Sequence, residues 1–75
     1  MDRREIKTRQ AIRNAFLALR ARKPLERITV KELAEQAQIS KATFYLHYHD
    51  IYDLSQTLQE DVIQQILHSV TRADL

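Results

Sequence analysis

The sequence has 75 residues, so it is long enough for one small folded unit and too short for two independent cores. Its 12 lysine and arginine residues outnumber 10 acidic residues and give a formal net charge of +2. Because it has no cysteine and no glycine, disulfides, thiolate metal sites and a glycine-rich phosphate-binding loop are excluded.

The first predicted helix runs from about Arg3 to Arg22. Pro24 disfavours helical geometry in the residue before it and is expected to end this helix, so residues 23–28 are predicted to form a connector. The longest apolar run, 15–19, is far shorter than the roughly 20 residues that span a bilayer. No apolar signal segment follows the N-terminus, so we expect a cytoplasmic protein with no membrane partner. The apolar stripe of the helix comprises Ile6, Ile12, Ala15, Phe16 and Leu19.

Two short helices separated by a turn are predicted next. Thr29 and Glu32 have the spacing of a capping box, in which each side chain bonds to a free amide of the other residue, so the second helix begins at Thr29. Ser40 is a suitable cap for a third helix that begins at Lys41 and runs to about Tyr48. Two short helices with a turn of three or four residues indicate a helix-turn-helix at about 29–48.

The third predicted helix has two unlike faces. At 100° per residue, Phe44 and Tyr48 point the same way and are expected to face the core. The opposite face and its flanks carry small, methyl-bearing and hydrogen-bonding groups, from Lys41, Ala42, Thr43, Tyr45, Leu46 and His47. Such groups suit a DNA groove, because methyls meet thymine methyls and polar groups bond to phosphates or base edges.

The fourth helix is predicted to begin after Asp50, its cap, with Asp53 complementing the positive dipole of the helix N-terminus. Its apolar stripe comprises Ile51, Leu54, Leu58, Val62, Ile63, Ile66, Leu67 and Val70. A three-helix unit cannot cover so long a stripe. We therefore expect the later part of this helix to pack against a further domain that is absent here, or against a second copy of the chain.

Charge is distributed unevenly along the chain. Residues 1–49 carry 11 basic and five acidic side chains, a net charge of +6, whereas residues 50–75 carry one basic and five acidic side chains, a net charge of −4. The first part is therefore suited to a polyanion. The basic residues at the far end of the first helix are expected to be solvated surface instead of DNA contacts; they are Arg20, Arg22, Lys23 and Arg27.

From about Thr8 to Leu54 the sequence resembles the N-terminal DNA-binding domain of the TetR family of bacterial transcriptional regulators. The resemblance is carried by Arg9 to Ile12, by residues 28–37 (ITVKELAEQA) and above all by residues 39–48 (ISKATFYLHY). It implies an all-α fold, a three-helix helix-turn-helix bundle of the homeodomain-like kind with a fourth connecting helix.

The same resemblance implies a sequence-specific DNA-binding transcriptional regulator of the repressor type. Its third helix would enter the major groove of a near-palindromic operator in double-stranded DNA. Residues 1–54 would form the DNA-binding domain, and residues 55–75 would lead to an absent C-terminal regulatory and dimerisation domain. The protein would be a homodimer through that missing domain, which would also bind a small-molecule effector.

Site residues follow from the resemblance by position. Tyr45 and His47 would mostly hold phosphates, and Thr29 would offer its hydroxyl and free amides to a phosphate. Those nearest the bases would be Lys41, Ala42, Thr43 and Leu46. Those along the backbone or reaching toward the minor groove would be Arg3, Arg4 and Lys7.

The sequence departs from the family pattern at three positions. Gln38 stands where the family usually has glycine in the turn, and left-handed geometry there should cost about 1 kcal/mol relative to glycine. Ile51 stands where the family often has a lysine that meets a phosphate, and we expect it to join the core. Pro24 replaces the usual glycine of the connector, with no functional consequence expected.

Other classes of function were weighed against DNA binding. A metal site at His47, His49, Asp50 and Asp53 is disfavoured, because the two histidines diverge by about 200° on a helix, and we expect no cofactor. No constellation of nucleophile, base or paired carboxylates indicates an enzyme. A membrane-surface peptide leaves the capped helix-turn-helix unexplained. The remaining alternative is a helical protein–protein module that uses the apolar face of helix four.

Overall fold

The computed structural model of the chain describes the backbone of residues 3–73 and the side chains of residues 3–67. The predicted all-α bundle is confirmed, since the described backbone contains helices and turns but no strand. None of its helices combines the length and the apolar character that a membrane crossing needs. Val70 of the predicted stripe lies outside the residues whose side chains are described. The elements are α1 (Arg3–Arg20), a 3₁₀ turn (Leu25–Arg27), α2 (Val30–Ala37), α3 (Lys41–His47) and α4 (Ile51–Ala73).

The core lies where α1, α2, α3 and the first turns of α4 meet. Each helix contributes one fully buried side chain, namely Ile12, Leu33, Phe44 and Leu54. The rest of the cluster is Ala15, Phe16, Leu19, Ile28 and Ile51. The predicted stripe on α1 is confirmed apart from Ile6, which is exposed because it lies more than one turn before the first core residue. Burial of Ile51 confirms its expected place in the core.

The connector between α1 and α2 is more structured than predicted. Helix α1 ends at Arg20, two residues before the expected end, and the amides of Arg22 and Lys23 both bond to the carbonyl of Leu19, at 3.0 and 2.9 Å. The Arg20 guanidinium donates to the carbonyl of Lys23 at 2.9 Å. Ile28, which ends the connector, is buried in the core. These contacts fix the connector and hold Lys23 beside α2.

Thr29 caps α2 in the manner of the predicted capping box. The Thr29 hydroxyl accepts a hydrogen bond from the amide of Glu32 at 3.1 Å, as predicted. The Glu32 carboxylate in turn takes a hydrogen bond from the backbone of Thr29, which helps to lower the pKa of that carboxylate. Lys23 forms an ion pair with the same carboxylate, a partner that the sequence analysis did not predict.

The turn between α2 and α3 contains the predicted left-handed residue. Gln38 has φ 60° and ψ 43°, and it is the one residue with positive φ in the described backbone. Its amide bonds to the carbonyl of Glu35 at 3.2 Å, and the amide of Ile39 bonds to that of Ala34 at 2.9 Å. This pattern satisfies the last carbonyls of a helix, and glycine is the usual residue there because it has no Cβ to clash.

We expect the substitution Gln38→Gly to stabilise the fold by about 1 kcal/mol, because it removes the left-handed strain. In a domain of this size that corresponds to a rise in Tm of about 4–8 °C, measured by circular dichroism. The matched control is Gln36→Gly, at an exposed helical position of α2, which should lower stability by about 1 kcal/mol. An unchanged or lower Tm for Gln38→Gly would refute the strain.

Helix α4 begins with two side-chain caps. The Asp50 carboxylate accepts a hydrogen bond from the amide of Asp53 at 2.7 Å, which confirms the predicted cap. The Asp53 carboxylate in turn accepts one from the amide of His49 at 2.8 Å, a bond the sequence analysis did not anticipate. Together with the buried Ile51 and Leu54, these caps anchor the start of α4 to the bundle.

Candidate nucleic-acid interface

Helix α3 is held by its caps and by aromatic packing on its inner side. The Ser40 hydroxyl accepts a hydrogen bond from the amide of Thr43 at 3.0 Å, and the amide of Tyr48 bonds to the carbonyl of Phe44 at 3.0 Å. Phe44 is fully buried, and Tyr48 packs against the core with its ring centroid 5.8 Å from that of Phe44. The prediction that both aromatic residues face the core is confirmed.

The opposite side of α3 is open to solvent. Leu46 is 81% exposed and Tyr45 is 55% exposed, while Thr43 and His47 are half-buried. The helix therefore carries all six of its predicted contact residues outside the core, namely Lys41, Ala42, Thr43, Tyr45, Leu46 and His47. Helix α3 itself has no acidic residue. This surface is accessible to a DNA duplex, while the contacts themselves stay predictions.

Two of these side chains are oriented by neighbours. The ring of Tyr45 meets the ring of Phe44 edge-on, with centroids 5.4 Å apart and planes at 83°, a preferred geometry for aromatic pairs. The Ser40 hydroxyl donates to the hydroxyl of Thr43 at 2.9 Å. These contacts restrict the Tyr45 and Thr43 side chains in the free protein, so the two side chains lose less conformational entropy when a partner binds.

Thr29 is exposed at the start of α2, but its hydroxyl is already engaged. It accepts the amide of Glu32 and lies 3.4 Å from Oε1 of the Glu32 carboxylate. The backbone of Thr29 forms a further hydrogen bond with the same carboxylate. Both polar groups of Thr29 are therefore engaged with Glu32, and its contact with a phosphate stays a prediction.

The pKa of the Glu32 carboxylate, which lies next to Thr29, is changed by neighbouring groups. The hydrogen bond from Lys23, reinforced by the positive charge of that residue and by Thr29, lowers the pKa of Glu32. Glu32 is therefore ionised at neutral pH, and its negative charge lies beside a predicted phosphate contact. The sequence analysis predicted that Lys23 is a solvated surface residue. In the structure Lys23 forms an ion pair with the Glu32 carboxylate.

The predicted basic contacts of α1 lie apart from α3. Arg3, Arg4 and Lys7 are exposed in the first two turns of α1, and the carbonyl of Arg4 accepts the hydroxyl of Thr8 at 2.8 Å. No hydrogen bond or ion pair between described residues joins Arg3 or Lys7 to α3. Their role along a DNA backbone stays a prediction.

A cleft of about 400 Å³ between α1, α3 and α4 contains charged residues that the sequence analysis did not assign. Arg9 and Arg13 are four residues apart and therefore share a face of α1, a spacing that could have revealed them. Burial raises the pKa of Tyr48, Arg9 opposes this effect, and Asp61 and Asp53 add to it. The charged or aromatic lining residues are Arg9, Arg13, His47, Tyr48, Asp53 and Asp61.

The four residues considered for a metal site do not form one cluster. His47 is half-buried at the end of α3, and His49 is exposed in the loop that follows. The carboxylates of Asp50 and Asp53 are used to cap α4. Across the residues whose side chains are described, no group of three or more potential ligands is placed to hold a metal ion.

The apolar stripe of α4 is exposed beyond Leu58, the last of its residues to pack against the core. Its exposed members are Val62, Ile63, Ile66 and Leu67. A groove of about 590 Å³ separates this part of α4 from α1, and Phe16, Leu17 and Leu25 line its other side. The stripe thus forms an apolar surface that the described residues leave open.

Comparisons with known proteins agree with this geometry. The family described as bacterial regulatory proteins, tetR family, matches residues 12–57, more than half of the chain and all of α2 and α3. The uncharacterized HTH-type transcriptional regulator YxbF of Bacillus subtilis (strain 168) is 35% identical over 74 residues, which are 97% of this chain and 20% of that protein. The chain therefore spans about a fifth of the length of this curated relative. No solved structure is a significant match.

Proposed function

Because the chain belongs to the tetR family of bacterial regulatory proteins, we propose that it binds double-stranded DNA with the outer face of α3 in the major groove. The observation that carries this proposal is the exposed, acid-free surface of α3, held from behind by Phe44 and Tyr48. A helix that presents methyl, hydroxyl and ammonium groups can contact both base edges and phosphates.

Within this proposal each group of residues has a separate role. Tyr45, His47 and Thr29 at the N-terminus of α2 bind phosphates and set the register of the protein on the duplex. The residues nearest the bases are Lys41, Ala42, Thr43 and Leu46. The residues that follow the backbone or enter the minor groove are Arg3, Arg4 and Lys7.

The whole protein is proposed to be a repressor-type transcriptional regulator in the cytoplasm, where bacterial DNA lies. Residues 1–54 would be its DNA-binding domain and residues 55–75 a link to a further domain, which dimerises the protein and binds a small-molecule effector. Two facts support this division: the relative is about five times longer than this chain, and burial on α4 fades after Leu58. The dimer would contact two half-sites about one helical turn apart.

The proposal is tested by removing two polar groups from α3, in Tyr45→Phe and Thr43→Ala. Duplexes selected from a random pool by the chain itself supply the probe for fluorescence anisotropy at fixed salt. We expect Tyr45→Phe to weaken binding at least tenfold, because a hydrogen bond to a charged group is worth roughly 1.5–3 kcal/mol, and Thr43→Ala about threefold to tenfold.

The matched control is Tyr52→Phe, which removes the same hydroxyl from an exposed tyrosine on α4 and should leave affinity unchanged. If Tyr45→Phe and Thr43→Ala both bind as tightly as the unmodified chain, α3 is not the DNA-contacting helix.

A helical protein–protein module is the second candidate, favoured by the open apolar surface of α4. Salt separates the two functions. DNA binding should weaken steeply with rising salt as counterions are released at the phosphates. Apolar docking through Val62, Ile63 and Ile66 should hardly change.

A further inference from the structure

The ion pair between Lys23 and Glu32 joins the connector to the first turn of α2. One carboxylate oxygen, Oε2, meets the Lys23 ammonium group, and the other, Oε1, lies 3.4 Å from the hydroxyl of Thr29. The side chains of Lys23 and Glu32 are 34% and 33% exposed. The pair therefore lies at the surface, directly beside a residue that the proposed function places on a phosphate.

A Glu32 carboxylate without the Lys23 partner would oppose DNA binding. It would repel the phosphate through its charge, weakly in water but strongly near a protein surface from which water is displaced. The Glu32 carboxylate also takes a hydrogen bond from the backbone of Thr29, so its charge is held close to the proposed phosphate contact.

We propose that Lys23 is a positioning residue for DNA binding, which neutralises the Glu32 carboxylate beside the phosphate contact at the start of α2. Lys23 acts here through Glu32 and touches no phosphate itself. The inference rests on the proposed function, because it assigns a role at the phosphate contact of Thr29.

The test is a double-mutant cycle on DNA affinity. The variants are Lys23→Gln, Glu32→Gln and both together, and the probe is a mixed-sequence duplex of roughly 20 base pairs at about 50 mM salt, where phosphate contacts dominate. We expect Lys23→Gln to weaken binding about tenfold. Adding Glu32→Gln should restore affinity to within about twofold of the unmodified chain, because the charge that Lys23 masks is then gone.

Arg27→Gln is the matched control, since it removes one positive charge from the same connector and Arg27 makes no described contact with Glu32. Glu32→Gln should not rescue it. A second measurement monitors the pair directly: the pKa of Glu32, followed by NMR, should lie below its ordinary value in the unmodified chain and return toward it in Lys23→Gln. Circular dichroism checks folding, which an exposed pair hardly affects.

Each outcome decides the matter. A tenfold loss that Glu32→Gln repairs supports the positioning role. A loss that persists in the double variant means that Lys23 itself contacts phosphate. An unchanged affinity in Lys23→Gln means that Lys23 has no role in DNA binding. Either result overturns the inference and leaves the proposed function standing. If the unmodified chain binds no duplex at all, the proposed function is wrong, and the inference that rests on it is wrong as well.

Discussion

Replacing Phe44 with alanine is expected to unfold the chain. Phe44 is fully buried, and its ring packs against the rings of both Tyr45 and Tyr48. Truncating a buried phenylalanine costs about 3–5 kcal/mol, while the total stability of a chain of this length is roughly 4–11 kcal/mol. The loss is to be measured as a disappearing or strongly lowered thermal transition in circular dichroism.

The control for this prediction lies two residues further along the same helix. Leu46→Ala removes a side chain that is 81% exposed, so stability should change by less than about 0.5 kcal/mol. A Phe44→Ala variant that melted within a few degrees of the unmodified chain would show that α3 is not held from behind as described.

Replacing Leu46 with glutamate is expected to abolish DNA binding while the fold persists. Leu46 is exposed on the outer face of α3 and is not part of the core cluster. A carboxylate there would be brought against the negative potential of the duplex and would have to lose its water in the groove. We expect affinity to fall at least 100-fold, about 2.7 kcal/mol, in an anisotropy titration, with an unchanged Tm.

Leu17→Glu makes the same chemical change on α1, at a position 53% exposed that lines the groove against α4. Both variants alter the net charge equally, so a general electrostatic effect would weaken them equally. If α3 has a specific role, Leu17→Glu should lower DNA affinity only a few-fold. Equal losses in the two variants would contradict the proposed orientation on DNA.

The features that could be predicted from the sequence are those whose causes lie within one helical turn. Ser40 and Asp50 cap helices through amides three residues away, and such spacings are visible in the sequence. Gln38 marks the turn because it follows the last apolar residue of α2, and the structure places it in the left-handed region. The inner and outer faces of α3 follow from the helical period alone.

The features that could not be predicted depend on contacts between elements. Lys23 and Glu32 are nine residues apart, and only the folded connector brings them together. Arg9 and His47 belong to different helices and share a cleft only in the folded bundle. The residues that contact DNA are harder still to predict, because an exposed side chain can contact DNA but its exposure does not show that it does.

The double cap at the start of α4 has a mechanical consequence. All three loop residues between α3 and α4 are tied: the amide of Tyr48 to Phe44, the amide of His49 to Asp53, and the carboxylate of Asp50 to the amide of Asp53. These hydrogen bonds restrain the junction, so we expect α3 and α4 to move together. With 23 residues in α4 and a rise of about 1.5 Å each, a tilt of about 5° at the bundle sweeps the far end through about 3 Å. Conversely, a force applied to the C-terminal end of α4 should rotate the outer face of α3.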